Sequence, residues 1–340
     1  MFDAILIANR GEIAIRVARA AAELGLRSVA VYAEDDARSL HVRRADAAVA
    51  LKGSGPAAYL DMAQLVAAAR EAGCGAIHPG YGFLSESAAF AAKCAEAGLV
   101  FVGPSVAALD SFGDKSKARA LAQECGIPVL RGTNGPTSLA DVRTFFAQTG
   151  AVMIKAIAGG GGRGMRAVAR AEELEEAYAR CRSEAEKAFG VADVYVEEWL
   201  PAARHLEVQI VGDGSGAVSH VWERECTVQR RHQKIVELAP SPALDAGVRA
   251  QLLDAAVKLG RAVQYRGLGT IEFLLDAREA GIPNRGQTPI RSFFIEANAR
   301  LQVEHTVTEA VTGIDLVRAQ LEIARGKSLA AVGLAQASVP

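Results

Sequence analysis

The sequence predicts an α/β protein of two or three domains. A parallel α/β unit fills roughly the first 110 residues, and antiparallel strands dominate afterwards. Three observations carry this. Short apolar runs alternate with helical patterns from Ala4 to Val102. A glycine run, Gly159 to Gly164, joins two apolar runs rather than a strand and a helix. Arg204 to Ile210 alternates strictly and runs into an Asp213-Gly214 turn, the pattern of a hairpin. At 340 residues the chain exceeds one ordinary core.

The bulk numbers exclude several classes. Half the residues are hydrophobic and 23% are charged, as in a globular protein. A net charge of −1 gives no electrostatic footprint for nucleic acid or a membrane surface. No apolar run reaches about 18 residues, so no transmembrane helix is expected. The N-terminus runs straight into a strand, without the charged region and cleavage site of a signal peptide. Five scattered cysteines form no C-x-x-C pair, which predicts a reduced, cytoplasmic protein without structural zinc.

In chain order, Ala4 to Ala8 reads as a buried strand and Asn9-Arg10-Gly11 as a turn. The next helix places Ile13, Val17, Ala20 and Leu24 on one face and Glu12, Arg16, Arg19 and Glu23 on the other, with Gly25 at its end. Ser28 to Tyr32 is a strand, Tyr59 to Ala72 a helix, Gly75 to His78 a strand, Ala88 to Ala97 a helix and Leu99 to Val102 a strand. The first turn holds a single glycine, Gly11, so the dinucleotide fingerprint is missing there. A domain junction is expected around Gly126 to Ser138, where glycine, proline and threonine gather.

Ala151 to Ile154 and Met165 to Ala169 flank the glycines as strands. A helix follows from Ala171 to Phe189, then a strand from Val194 to Glu197. Glycines at Gly160, Gly161, Gly162 and Gly164 leave backbone N–H groups free to close around phosphate oxygens. No helix starts at Gly164 and no Gly-Lys-Ser/Thr ends the run, which excludes the dinucleotide and Walker A loops. A flap over nucleotide phosphates, with Lys155 before it and Met165 after it, fits. Leu206, Val208 and Ile210 share one strand face, and His205, Glu207 and Gln209 the other. Ala217 to Trp222 returns, and Val248 to Val263 is helical. Thr270 to Leu275 and Ser292 to Ala297 form a second hairpin, whose connection holds Gly281, Pro283 and Gly286. A last helix runs from about Gly313 to Ala324.

Three clusters carry chemistry. Glu296 and Asn298 share a strand face, and Glu272 can meet them from the neighbouring strand. Two carboxylates and an amide suit Mg²⁺ held together with ATP phosphates. Arg300, Gln302 and Glu304 supply a cation, an amide and a carboxylate able to hold a small anion and take a proton. Gln229 to Lys234, after Glu223-Arg224-Glu225, is densely polar and reads first as a solvated surface.

The chain resembles the biotin carboxylase component of biotin-dependent carboxylases, within the ATP-grasp superfamily. The matching segments are Ile7 to Ala14, His78 to Glu86, Gly113-Asp114-Lys115, the glycine flap, Gln229 to Lys234, and Phe294 to His305. The resemblance implies a Rossmann-like domain over 1–113 and an ATP-grasp domain over 114–340. Within the latter it implies a lid subdomain near 130–203 and a large α+β subdomain near 204–340, incomplete because the family continues for about another hundred residues. It implies ATP contacts for Lys115, Lys155, the flap from Gly160 to Gly164 with Met165, Glu197, Glu198, Leu200, His205, Gln229, His232 and Leu274. Mg²⁺ or Mn²⁺ would sit on Glu272, Glu296 and Asn298, and bicarbonate on Arg300, Gln302 and Val303. Glu304 would be the base, and Lys234 would stabilise anionic intermediates. The implied acceptor is biotin on a carrier protein or domain, with a carboxyltransferase as partner and a homo-oligomer as assembly. Other acceptors of the urea or guanidine type remain open, as does a chain that binds MgATP without turnover. Position 198 is glutamate where the family often has lysine, Ala158 stands for glycine and Thr306 for proline.

Overall fold

The computed structural model describes residues 1–157, 164–230, 233–277 and 291–336. Its first sheet is fully parallel, in the order β3-β2-β1-β4-β5. The strands are β1 (Ala4–Ile7), β2 (Arg27–Tyr32), β3 (Ala47–Ala50), β4 (Ala76–His78) and β5 (Val100–Phe101). Ile5, Leu6 and Ile7 are all fully buried, because crossover helices cover both faces of a parallel sheet. Helix α1 (Gly11–Glu23) turns Ile13, Ala14, Val17, Ala20 and Ala21 inward, matching the apolar stripe. On its charged face Arg16 is partly buried and donates to Glu309 at 2.9 Å and to Asp315 at 2.6 Å. After α2 (Leu40–Arg44), helix α3 starts at Met62 rather than Tyr59 and ends at Glu71. Asp61 caps it by accepting from Gln64 N, and residues 56–60 form a separate 3₁₀ turn.

Helices α4 (Ala88–Glu96), α5 (Val106–Gly113) and α6 (Lys115–Glu124) lead out of this unit. Asp114 caps α6 by accepting from Ser116 N and Lys117 N, which places Lys115 at the first position of a helix the sequence reading did not anticipate. A three-stranded antiparallel sheet follows, in the order β7-β6-β8, with β6 (Val152–Ala156), β7 (Met165–Val168) and β8 (Val194–Glu198). Helices α7 (Leu139–Thr149) and α8 (Leu174–Phe189) close a separate apolar core with it, containing Val142, Ile154, Val168, Leu174, Tyr178 and Val196.

The third sheet, β11-β10-β9-β12-β13, is antiparallel. Its strands are β9 (Ala203–Asp213), β10 (Val218–Arg230), β11 (Gln233–Leu238), β12 (Arg266–Asp276) and β13 (Ser292–Asn298). Leu206, Val208 and Ile210 pack with Val248, Leu252 and Ala256 of α9 (Ala246–Ala262) in the cluster that also holds Leu6 and Val29 of the first sheet. Gln229 and Arg230 end β10 and Gln233 and Lys234 begin β11; Arg230 and Gln233 are exposed, as a solvated surface would be, while Gln229 and Lys234 are half-buried. Two helices, α10 (His305–Thr312) and α11 (Leu316–Ala324), stand where one was expected. Leu316, Val317 and Leu321 join Ile5, Ile7 and Ile13 in a second shared core. The expected hairpin turn at Gly281, Pro283 and Gly286 lies outside the described residues. Among the described residues, no helix is long and apolar enough to cross a membrane.

His78, at the end of β4, is fully buried between the first sheet and α11. Gly80 N donates to its Nδ1 at 2.9 Å, so Nε2 carries the proton toward Gln320 Oε1 at 3.1 Å. Burial, with Arg16 and His305 adding to it, lowers its pKa to about 4. The unfolded chain therefore binds the proton first. Stability from this site is complete above pH about 6.5 and falls as pH drops toward 4, by about 3 kcal/mol. Chemical unfolding of wild type and His78→Asn between pH 8 and 4 should show the steeper acid loss in wild type; equal slopes would refute the assignment.

Candidate functional site

Register brings the site together. Arg224 pairs with Glu207, Glu207 with Glu272, and Glu272 with Glu296, so four charged residues lie in a row across β10, β9, β12 and β13. Directly paired residues project on the same face. The polar face read from the β9 alternation is buried, because Glu207 and Gln209 are both 0% exposed. Three carboxylates in a row repel one another unless cations lie among them. Lys234 supplies one from β11: its Nζ donates to Glu207, to Glu272 at 3.1 Å and to Glu304 at 2.6 Å. Burial opposes the Lys234 charge, but Glu272, Glu207 and Glu304 outweigh it and hold the pKa well above the usual lysine range.

Glu272 is the most heavily bonded carboxylate of the row. Burial opposes its charge, but His205 and Lys234 outweigh burial and hold its pKa far below the carboxylate range. Its oxygens accept from His205 Nε2 at 2.6 Å, Asn298 Nδ2 at 2.7 Å and Gln302 Nε2 at 3.2 Å. Glu296 behaves oppositely: burial and the neighbouring Glu272 raise its pKa, with Lys115 and Lys155 acting against them. An acid pushed toward neutrality beside a fixed carboxylate, with Asn298 adjacent, is a donor set a hard cation would stabilise. His205 is held above its ordinary range, since Glu272 overcomes burial. Gln229 faces the other ring nitrogen, Nδ1, at 2.7 Å.

Arg300 donates to Glu86 at 2.9 Å and to Asn298 Oδ1 at 3.2 Å, so it joins the first domain's Glu86 loop to the end of β13. Gln302 is buried and Val303 is exposed. Residues 300–304 are a turn ending at the N-cap of α10, not an alternating strand. Glu304 makes no capping bond with its side chain, which leaves the carboxylate to Lys234. Burial works against the Glu304 charge, but Lys234 outweighs it and lowers the pKa.

On the three-stranded sheet, Glu197 is buried and accepts from Arg119 Nη1 at 2.6 Å and from the Lys155 ammonium. Burial opposes the Lys155 charge, yet Glu197 outweighs it and raises the pKa. Burial lowers the pKa of Lys115, partly offset by Glu296. Lys115, Arg119, Asn134, Ile157 and Tyr195 line a cleft beside the start of the flap. Met165 pairs with Lys155, and Gly164 has φ +66°, where a Cβ would approach Ala156 Cβ to 2.9 Å. Glu198 bonds Arg131 at 2.9 Å, its backbone N donates to Arg131 O, and Leu200 is buried nearby. Leu274 is half-buried opposite His205. Gly160, Gly161, Gly162 and His232 lie outside the described residues.

Sequence reasoning missed Arg119, Glu207 and Arg224 as site residues. The only signal for Glu207 was its place between His205 and Gln209. Arg224 looked like one charge in a charged run.

The parallel α/β unit, the small antiparallel sheet and the large sheet with paired acids define an ATP-grasp protein. Residues 1–109 match the family described as "Biotin carboxylase, N-terminal domain", and residues 114–332 match "Carbamoyl-phosphate synthase L chain, ATP binding domain". The chain belongs to the biotin carboxylase family. It is 50% identical to "Pyruvate carboxylase 1" of Caenorhabditis elegans over 99% of its own length, but spans only 28% of that relative. The biotin carboxylase–beta-gamma-ATP complex from Campylobacter jejuni superposes with a TM-score of 0.91 at 42% identity, covering 98% of this chain and 73% of that one. The biotin carboxylase domain of Hydrogenobacter thermophilus 2-oxoglutarate carboxylase, solved with MgADP, ADP and bicarbonate, gives 0.89 at 40% identity, covering 97% and 71%.

Proposed function

We propose that this chain carries out ATP- and bicarbonate-dependent carboxylation of biotin through carboxyphosphate, the first half-reaction of a biotin-dependent carboxylase. One observation carries the reading. The Lys234 ammonium touches Glu272, on the nucleotide and metal side, and Glu304, on the anion side, so both half-sites share one centre. Family membership and the relatives' bound ligands support it.

In this reading residues 1–113 form the N-terminal domain and 114–340 the ATP-grasp domain, with the lid near 130–203. Lys115, Lys155 and the glycine flap hold the phosphates. Glu197, Glu198 and Leu200 meet adenine, with Leu274 against it and His205, Gln229 and His232 on the ribose side. Glu272, Glu296 and Asn298 would hold Mg²⁺, which neutralises phosphate charge when bound. Arg300, the Gln302 amide and Val303 N–H bind bicarbonate. Glu304, kept ionised by Lys234, takes the bicarbonate proton. The resulting oxyanion attacks the γ-phosphorus, ADP leaves, and Lys234 stabilises the anionic carboxyphosphate. Carboxyphosphate breaks to CO₂ and phosphate; the ureido N–H of biotin gives its proton to that phosphate, and the nitrogen takes up the CO₂. Positioning and fixed charge supply most of the acceleration in such chemistry. A carrier domain bearing biotin, a carboxyltransferase, a homo-oligomeric assembly and a cytoplasmic setting complete the reading.

The test is ADP release with and without bicarbonate. Wild type should respond to bicarbonate, and Lys155→Ala should bind MgATP more weakly by about 1.5–3 kcal/mol, the worth of a charge-assisted phosphate contact. Release indifferent to bicarbonate, or unchanged ATP affinity in the variant, would count against the proposal.

A further inference from the structure

Arg224 is completely buried at the end of the acidic row, and the reaction as written does not use it. A guanidinium offers five N–H donors in a rigid planar fork, and here each has an acceptor. Nε donates to Glu207 Oε1; Nη1 to Gln209 Oε1 at 2.9 Å and Thr308 Oγ1 at 3.0 Å; Nη2 to Thr270 Oγ1 at 3.2 Å and Gln302 Oε1 at 3.1 Å. These partners sit on β9, β12, α10 and the turn before α10.

Two of the five bonds bear on groups the reaction needs, one on Gln302 directly and one on Lys234 through Glu207. By occupying Gln302 Oε1, Arg224 leaves only the amide NH₂ end to face the acidic row, where it meets Glu272 at 3.2 Å. By occupying Glu207 Oε1, it presents Oε2 to Lys234, whose ammonium then reaches Glu304. A guanidinium wanted only to fill space there would be replaceable by apolar side chains, since buried ion pairs add little net stability. We propose that Arg224 is the positioning residue of the anion-binding segment, fixing which end of Gln302 faces the bicarbonate and aiming Lys234 through Glu207. The proposal rests on the reading of Gln302 and Lys234 given above.

Arg224→Lys, made in the full chain, tests it. Lysine keeps the charge but brings three donors without the planar fork. The KM for bicarbonate should rise about tenfold or more, as expected when a reactant is misplaced, while the KM for MgATP stays within about twofold. An unchanged bicarbonate KM, or both constants rising together, would overturn the proposal. Should the lysine variant be recovered unfolded, Thr308→Val removes one acceptor with little change of shape. It should raise the bicarbonate KM in the same direction by a smaller factor, and no rise would overturn the proposal. A second readout needs no turnover. The Gln302 side-chain NH₂ cross-peaks, assigned with Gln302→Leu, should be sharp and slowly exchanging in wild type and averaged in Arg224→Lys. Identical Gln302 peaks in the two proteins would refute the positioning role. A wild-type chain that ignores bicarbonate would instead remove the functional reading, leaving the Gln302 spectrum to decide the role of Arg224.

Discussion

Glu304→Gln is expected to cut bicarbonate-dependent ATP turnover by about 10²- to 10⁴-fold, the range a positioned general base contributes. The substitution keeps the side chain's shape and a carbonyl oxygen for Lys234, which bonds Glu304 at 2.6 Å and keeps its contacts with Glu207 and Glu272. What it removes is the ability to hold a proton. MgATP affinity should hold, because the Lys155 ammonium bonds Glu197 and Glu304 bonds Lys234. Steady-state ADP release near the wild-type rate would mean that the proton goes elsewhere and that Glu304 is not the base.

Glu207→Leu should cost about 3–5 kcal/mol of stability, the range for removing one member of a buried ion pair. Glu207 is fully buried and serves two cations at once, Arg224 and Lys234. After the change Arg224 keeps only neutral hydrogen-bond partners, those on Gln209, Thr270, Gln302 and Thr308, and stays out of water. Urea unfolding followed by tryptophan emission reports on this region, since Trp222 lies on β10 two residues before Arg224. A loss under about 1 kcal/mol would show that the neutral partners and water entry compensate.

The parallel unit was legible because its pattern is local. Ile5 to Ile7, Val29 to Val31 and the stripe of α1 each announce burial within a few residues. The strands around the glycine run were legible for the same reason, and they separated this loop from the helix-linked phosphate loops. Helix α10 was harder: Thr306, Val307 and Thr308 are β-branched and read poorly as helix. Helix α6 was hidden in a motif whose Asp114 cap was visible but not weighed. For the site, the paired strands foretold that Glu272 and Glu296 would meet, and their register bears this out. Burial of Glu207 was not foreseeable from its own strand. Alternation tells which residues share a face, whereas the covering of that face comes from Gln302 and Thr308, about 80 to 100 positions away along the chain. Lys234 looked like surface for the same reason, since its three carboxylate partners come from three separate segments.

The central claim is that bicarbonate, not water, is the nucleophile at the γ-phosphorus. It is tested by turning over MgATP with ¹⁸O-labelled bicarbonate in unlabelled water and weighing the phosphate released. Attack by bicarbonate makes its oxygen the bridge in carboxyphosphate, and breakdown to CO₂ leaves that oxygen on phosphorus. The account predicts phosphate carrying one bicarbonate-derived ¹⁸O per turnover, with the transfer lost in Glu304→Gln. Phosphate whose one new oxygen comes from solvent would contradict it and mark the chain as a simple ATP hydrolase.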